Sequence, residues 1–262
     1  NSETFKNLIK SPSGIVLVTG PTGSGKSTTL YAALSALNKP ETNIITIEDP
    51  VEYQIYGINQ VTLNEKAGLS FANGLRYILR QDPDIIMVGE IRDEETARIA
   101  IQAALTGHLV LSTLHTNNAV GAVVRLLDMG IEPYLLASCL RGVVAQRLVR
   151  KICPSCSEKY EARTAELACL NLPVTANRFL QEAQGCVSCF GTGFDGRLAL
   201  QEVLAVNDEI KDLIMQRAKE TEILAAAKKN GFVSLRDDGV QKVLSGMTTL
   251  GELLRVTEGQ EK

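Results

Sequence analysis

The chain has 262 residues, a formal net charge of −3, 45% hydrophobic residues and 22% charged residues. That length buries a sizeable core in one large domain or two smaller ones, and the composition is that of an ordinary globular protein. The acidic balance excludes a broadly basic nucleic-acid surface, and no apolar run reaches the roughly 18 residues of a membrane span. The most apolar region, 133–149, is broken by Arg141 and Arg147, and no secretory leader pattern is present. The first residue is Asn1 rather than Met, so the chain is expected to be a piece of something longer.

The first predicted strand is the apolar run 15–19, and a helical pattern follows over 26–37. Between them lies Gly20-Pro21-Thr22-Gly23-Ser24-Gly25-Lys26-Ser27, which fits G-x-x-x-x-G-K-[ST]. Glycines at these spacings let backbone N–H groups turn inward around a polyphosphate. Gly20, Thr22, Gly23, Ser24, Gly25, Lys26, Ser27 and Thr28 are therefore the candidate phosphate-binding residues. Lys26 reaches outer phosphates in such loops, and the Ser27 hydroxyl ligates Mg²⁺. The helix N-terminus adds its dipole. These residues predict binding of a nucleoside triphosphate.

A second strand, 43–48, ends in Glu48-Asp49-Pro50-Val51-Glu52. Three carboxylates in five residues need a cation or water, so Glu48 is a candidate for the outer shell of Mg²⁺. An acidic surface turn shaped by Pro50 explains the same spacing. A third strand is predicted over 58–63 and a helix over 70–81, which places Arg76 and Arg80 one turn apart on one face. The apolar strand 84–89 leads into Gly89-Glu90-Ile91-Arg92-Asp93. An acidic residue at the tip of such a strand is a Walker B arrangement, where Glu90 polarises the attacking water or holds a metal-bound one. Arg76, Arg80 and Arg92 are candidate arginine fingers or solvated surface arginines.

A helix over 93–106 and the strand 108–114 follow. The two histidines bracket that strand. His115 sits at its carboxyl end, the side where ligands gather in parallel α/β sheets, and His108 at the other end reads as structural. A helix over 117–128 completes an alternation of strands and helices, which predicts an α/β fold with a mostly parallel central sheet.

After residue 150 the texture changes. Cys153 and Cys156 form one C-x-x-C pair, and Cys186 and Cys189 form another after 29 intervening residues. Four thiolates at this spacing predict a closed, structural Zn²⁺ site, with a thioredoxin-like redox pair as the alternative. Cys139 and Cys169 fit neither pair and read as packing or surface residues. Residues 207–256 read as short helices, with Asn207 and Thr249 as N-caps and Gly231 as a stop. The expected division is 1–150 for the nucleotide-binding core, 151–197 for the tetracysteine segment and 198–262 for a helical region.

Four stretches together resemble the secretion ATPases of type II secretion and type IV pilus assembly. They are the Walker A run from Gly20 to Ser27, the Asp-box-like run from Thr46 to Tyr53, the Walker B-like run from Leu79 to Asp93, and the His-box-like run from Thr106 to Asn117. The resemblance extends through Ala145-Gln146-Arg147-Leu148-Val149-Arg150 and the cysteine pairs. It implies a RecA-like P-loop NTPase working as a homo-hexamer on the cytoplasmic face of the inner membrane, docked through membrane platform proteins. There, Mg²⁺-dependent ATP hydrolysis drives assembly of pilin-like subunits. The resemblance implies Glu90 as general base, Glu48 beside the metal and His115 near the phosphates. It matches Arg76, Arg80, Arg92 and Arg197 to arginines that serve subunit contacts.

The tetracysteine motif points to the secretion or assembly branch. The runs from Asp128 to Pro133 and from Arg141 to Gln146 lean toward secretion, with pilus assembly as the alternative. Relatives carry N-terminal domains that supply part of the nucleotide site, whereas 19 residues precede Gly20, so the expectation is a C-terminal catalytic domain. A zinc-stabilised nucleotide switch lacks a use for Glu90. A helicase or recombinase sits poorly with the acidic balance, and no Asn-Lys-x-Asp guanine-reading motif is present.

Overall fold

The computed structural model describes residues 1–173 and 178–257. The expected segments 151–197 and 198–262 include residues 174–177 and 258–262, which lie outside the described residues. The chain forms two compact units. The first is Asn1–Ala145 with Glu202–Phe232, and the second is Gln146–Gln201 with Val233–Lys262. This cut differs from the expected one at 150 and 197. Two long strands, β6 (Leu140–Ile152) and β9 (Phe194–Ala205), each pass through a boundary, and composition does not change where they cross.

The first unit begins with α1 (Ser2–Leu8), β1 (Gly14–Thr19), α2 (Lys26–Leu37), β2 (Ile44–Glu48) and β3 (Asn59–Thr62). It continues through α3 (Phe71–Ile78), β4 (Ile85–Val88), α4 (Glu94–Leu105), β5 (Leu109–Leu114), α5 (Ala119–Asp128) and α6 (Pro133–Cys139). After β9 come α8 (Asp208–Met215) and α9 (Glu220–Lys229), α7 lying in the second unit at Thr164–Cys169. The sheet order is β3-β2-β4-β5-β1-β6-β9. β1 pairs in parallel with β5 and β6, and β2 with β3 and β4. Every residue of β1, β2, β4 and β5 is buried, the consequence of a sheet covered on both faces, and their sequences accordingly show continuous apolar runs.

The register aligns the carboxyl ends. Thr19 lies opposite Leu114, Ile47 opposite Val88, and Val88 opposite Ser112. Loops leaving β1, β2, β4 and β5 therefore emerge side by side. The buried face of α2, Leu30, Tyr31, Ala33 and Leu34, joins a cluster with Val16, Val18, Met87, Leu111 and Val144. Close packing needs a missing side chain at Gly74 of α3, where a Cβ would lie 1.9 Å from Ile47 Cδ1. Gly142 is a second such place, with the Leu204 carbonyl oxygen 2.7 Å from its virtual Cβ.

Polar caps shorten the expected helices. Ser70, Asp93, Asn118 and Asn207 accept from the N–H groups of Asn73, Thr96, Gly121 and Ile210, fixing the starts of α3, α4, α5 and α8. α3 ends at Ile78, so Arg80 lies beyond the helix rather than on the expected shared face with Arg76. His108 has its Nδ1 2.9 Å from the Ala103 carbonyl oxygen at the end of α4, a structural placement. Cys139 is buried and Cys169 exposed.

The second unit contains an antiparallel pair of β7 (Ser157–Glu161) and β8 (Phe179–Ala183), with α7 between them in sequence, together with α10 (Leu235–Leu244) and α11 (Leu250–Thr257). Thr249 accepts from the Glu252 N–H at 3.3 Å, capping α11 as its sequence position predicts. Glu252 is buried, 2.9 Å from both Arg150 and Arg255, and also accepts from the Arg150 N–H at 2.7 Å. Burial pushes this carboxyl up, but the bonds from Arg255 and Arg150 outweigh it and bring it down to about 2. A depressed folded-state pKa stabilises above the ordinary carboxylate range and loses that contribution as pH falls toward 2. The expected loss is on the order of 2 kcal/mol, reduced by the exposure of both guanidiniums. Denaturant unfolding between pH 6 and pH 2 should show the drop in the wild type and a flatter profile in Glu252→Gln.

Candidate functional site

The loop after β1 is built for close approach to a ligand. Gly20, Gly23 and Gly25 have φ of 149°, 77° and 84°, values that side chains disfavour. Gly25 is the left-handed N-cap that turns the chain into α2. The first-turn N–H groups of that helix have no intrahelical acceptor by construction. Lys26 curls back and donates from Nζ to the carbonyls of Gly20 and Pro21 at 2.9 and 3.1 Å. Ser27 and Thr28 are exposed in the first turn of α2, while Ser24 is buried within the loop. Glycine freedom, a helix N-terminus, one ammonium and hard hydroxyl oxygens make a donor set that fits a polyphosphate with Mg²⁺.

Thr19 closes β1 immediately before this loop. Its hydroxyl bonds to the Thr116 hydroxyl at 2.6 Å and accepts from the Thr116 N–H at 2.9 Å. The loop carrying His115 and Thr116 is thus fastened to the root of the P-loop. Composition offered one signal for this tie, a polar residue closing an otherwise apolar strand.

The same edge brings Glu90 to His115. Gly89 donates to the Ile47 carbonyl at 2.8 Å and Ile91 to the Thr113 carbonyl at 3.0 Å, so the residues flanking Glu90 are anchored to β2 and β5. Glu90 Oε2 lies 3.3 Å from His115 Nε2, and its other oxygen pairs with Arg92. Burial raises the Glu90 pKa, but the Arg92 guanidinium and His115 outweigh it and hold the carboxyl below its usual range. Glu90 is therefore ionised at neutral pH. Arg92 also lies 3.7 Å from Asp49, a partner that the spacing of residues did not single out.

Glu48 is 4% exposed at the tip of β2. Its Oε1 accepts from Thr46 at 2.6 Å and from Gln60 at 3.1 Å, and its Oε2 accepts from the Tyr31 hydroxyl. An acidic surface turn does not describe such a group. Arg76 pairs with Glu95 at 2.7 Å, and Arg80 is exposed. Arg197 belongs to the second unit, also exposed.

The second unit gathers the Sγ atoms of Cys153, Cys156, Cys186 and Cys189 within 4.8 Å of one another. Three separations are 4.0, 3.7 and 3.7 Å, for Cys153–Cys186, Cys156–Cys189 and Cys186–Cys189. A tetrahedron with Zn–S arms of ~2.3 Å has edges of about 3.8 Å, so the donor set fits that ion. Backbone N–H groups of Gly185, Cys186 and Gly193 point at Cys156 or Cys189 sulfur at 3.1 to 3.3 Å, bonds that favour thiolates. Burial raises the Cys189 pKa, but the N–H groups of Cys186 and Gly193 bring it down to about 6, whereas burial and the neighbouring sulfurs push Cys156 up to about 12, so the favour falls on Cys189.

The family model described as "Type II/IV secretion system protein" matches residues 1–255. The chain belongs to that family. It is 55% identical over 249 residues to "Type II secretion system protein E" of Pseudomonas aeruginosa, covering 95% of this chain and 49% of that protein. It is 54% identical over 258 residues to "Type II secretion system ATPase E" of Vibrio cholerae, covering 98% of this chain and 51% of that one. The chain thus spans about half the length of these curated relatives. Among solved structures it is similar to the pilus retraction motor PilT with bound ADP, at TM-score 0.74 and 31% identity, over 97% of this chain and 64% of that one. It also resembles the Legionella pneumophila ATPase DotB, at TM-score 0.71 and 25% identity, over 98% of this chain and 63% of that one. The α/β fold with a mostly parallel sheet, expected from alternating strands and helices, is the fold of this secretion family.

Proposed function

We propose that this chain binds Mg²⁺-ATP at the loop from Gly20 to Thr28 and hydrolyses it to power type II protein secretion. The observation that carries the reading is the contact of Glu90 with His115 at the carboxyl edge of the parallel sheet from which the Lys26 loop also emerges, in a chain whose Vibrio cholerae relative is named an ATPase. The glycines and Lys26 hold the phosphates, and Ser27 holds the metal with Glu48 beside it. Glu90 takes the proton of the attacking water. His115 orients Glu90 and faces the phosphates. Mg²⁺ held at the Ser27 hydroxyl would supply charge neutralisation at the outer phosphates. Zn²⁺ held by the four cysteines is structural, since four thiolates leave no position for water.

In this reading the working protein is a homo-hexamer, with Arg76, Arg80, Arg92 and Arg197 at subunit contacts. It is cytoplasmic and meets the inner membrane through platform proteins that assemble pseudopilins, without nucleic acid. Among the described residues no helix is long and apolar enough to cross a membrane. Type IV pilus assembly is the second reading; the solved relative at 31% identity is a pilus retraction motor, which favours pilus machinery without favouring assembly, and curated relatives above 50% identity carry secretion names.

The purified protein should release phosphate from ATP only with Mg²⁺. Lys26→Ala should weaken ATP binding by at least tenfold in equilibrium binding. ATP affinity unchanged by Lys26→Ala would refute the site.

A further inference from the structure

Tyr31 lies on α2 four residues after Ser27, hence one turn along the same face as the proposed metal ligand. It is 2% exposed, and its hydroxyl does two things at once. It donates to Glu48 Oε2 and accepts from the Glu52 N–H at 3.2 Å. Its ring meets Tyr53 edge-on, with centroids 4.6 Å apart. Gln60 closes the circuit on the other side, donating from one nitrogen to Glu48 at 3.1 Å and to the Tyr53 carbonyl at 3.2 Å, and accepting from the Ile55 N–H at 2.6 Å.

A buried phenol with this many partners exceeds what packing needs. A Phe would fill the same volume and keep the edge-on contact. The hydroxyl ties the α2 face directly to the carboxylate at the tip of β2. Three donors, Tyr31, Thr46 and Gln60, converge on the Glu48 carboxyl group and fix its orientation. Burial and the bond to Glu48 push the Tyr31 pKa up to about 12, so the hydroxyl keeps its proton throughout the neutral range.

We infer that Tyr31 is a positioning residue: its hydroxyl couples the P-loop helix to Glu48 and to the segment 52–60, so that a nucleotide seated on α2 is sensed at both. The inference rests on the proposed ATP site and deepens it. Tyr31 touches no substrate; it acts through Glu48.

The test compares wild type, Tyr31→Phe, Glu48→Gln and the double variant. In steady-state hydrolysis Tyr31→Phe should lower kcat by roughly tenfold, the usual effect of removing a group that orients a metal-site carboxylate, with KM for Mg²⁺-ATP within about twofold. In the Glu48→Gln background it should cause no further loss, because both changes cut one connection. Amide hydrogen exchange supplies a readout independent of turnover. A non-hydrolysable ATP analogue should slow exchange over 52–60 in the wild type and leave it unaltered in Tyr31→Phe. An unchanged kcat in Tyr31→Phe beside an active wild type overturns the inference, as does equal protection of 52–60 in both proteins. A wild type that binds the analogue but hydrolyses no ATP refutes the ATPase reading instead, and the exchange experiment then decides the role of Tyr31.

Discussion

Glu90→Gln should lower ATP turnover by roughly 10²- to 10⁴-fold while leaving nucleotide binding within a few-fold of wild type. The substitution keeps the size and one acceptor oxygen but removes the charge and the basic oxygen. Loss of function should therefore appear in the chemical step, which phosphate release reads, and not in equilibrium binding of ATP. The pairing with Arg92 and the contact with His115 hold the wild-type carboxyl below its usual range, so activity should not decline on the acid side until the pH falls beneath that range. A Glu90→Gln protein that turns ATP over at the wild-type rate would remove Glu90 from the mechanism. Parallel loss of binding and turnover would mean instead that Glu90 shapes the pocket.

The second large effect concerns the four cysteines. Elemental analysis of the purified protein should find close to one zinc per chain. Cys153→Ser or Cys186→Ser should abolish that zinc and unfold the second unit, because binding to such a site contributes on the order of 10 kcal/mol to folding. The P-loop, which belongs wholly to the other unit, should still bind ATP in both variants. Zinc-free protein with an intact, cooperative unfolding transition for the second unit would refute the structural role. Recovery of the transition on adding Zn²⁺ to a chelated sample would support it.

β1, β2, β4 and β5 are legible because fully covered strands are written as apolar runs, whereas β3, Asn59–Thr62, is a polar, partly exposed strand. The fit was weaker at helix ends, where the caps at Ser70, Asp93 and Asn118 outrank the apolar pattern. β6 was hidden by its arginines: Arg141 donates to the Ser13 carbonyl at 2.8 Å and Arg147 is 8% exposed, so charges lie inside a strand that reads as an interrupted apolar stretch. β9 opens with Phe194-Asp195-Gly196-Arg197, a turn-like start in which the alternation expected of a strand is absent.

At the candidate site, Glu90 and the loop residues stood out by type and position. Tyr31, Asp49 and Thr19 did not, because each acts through a partner distant in sequence. Tyr31 in particular occupies an apolar slot of a helical pattern, and nothing about that slot announces a carboxylate across the sheet edge.

The way the strands cross between units sets an order of assembly during synthesis. Residues 1–145 leave the ribosome with β6 already able to pair with β1, yet its other edge stays unpartnered until β9 is made. The Ala119 N–H at the head of α5 must likewise wait for Glu202, whose carboxylate it reaches at 2.7 Å. A nascent chain stalled before residue 202 therefore presents an open strand edge, the kind of surface on which chains join one another. Release of the chain past β9 closes that window, and a chaperone or a neighbouring domain has its greatest value in the interval before it closes.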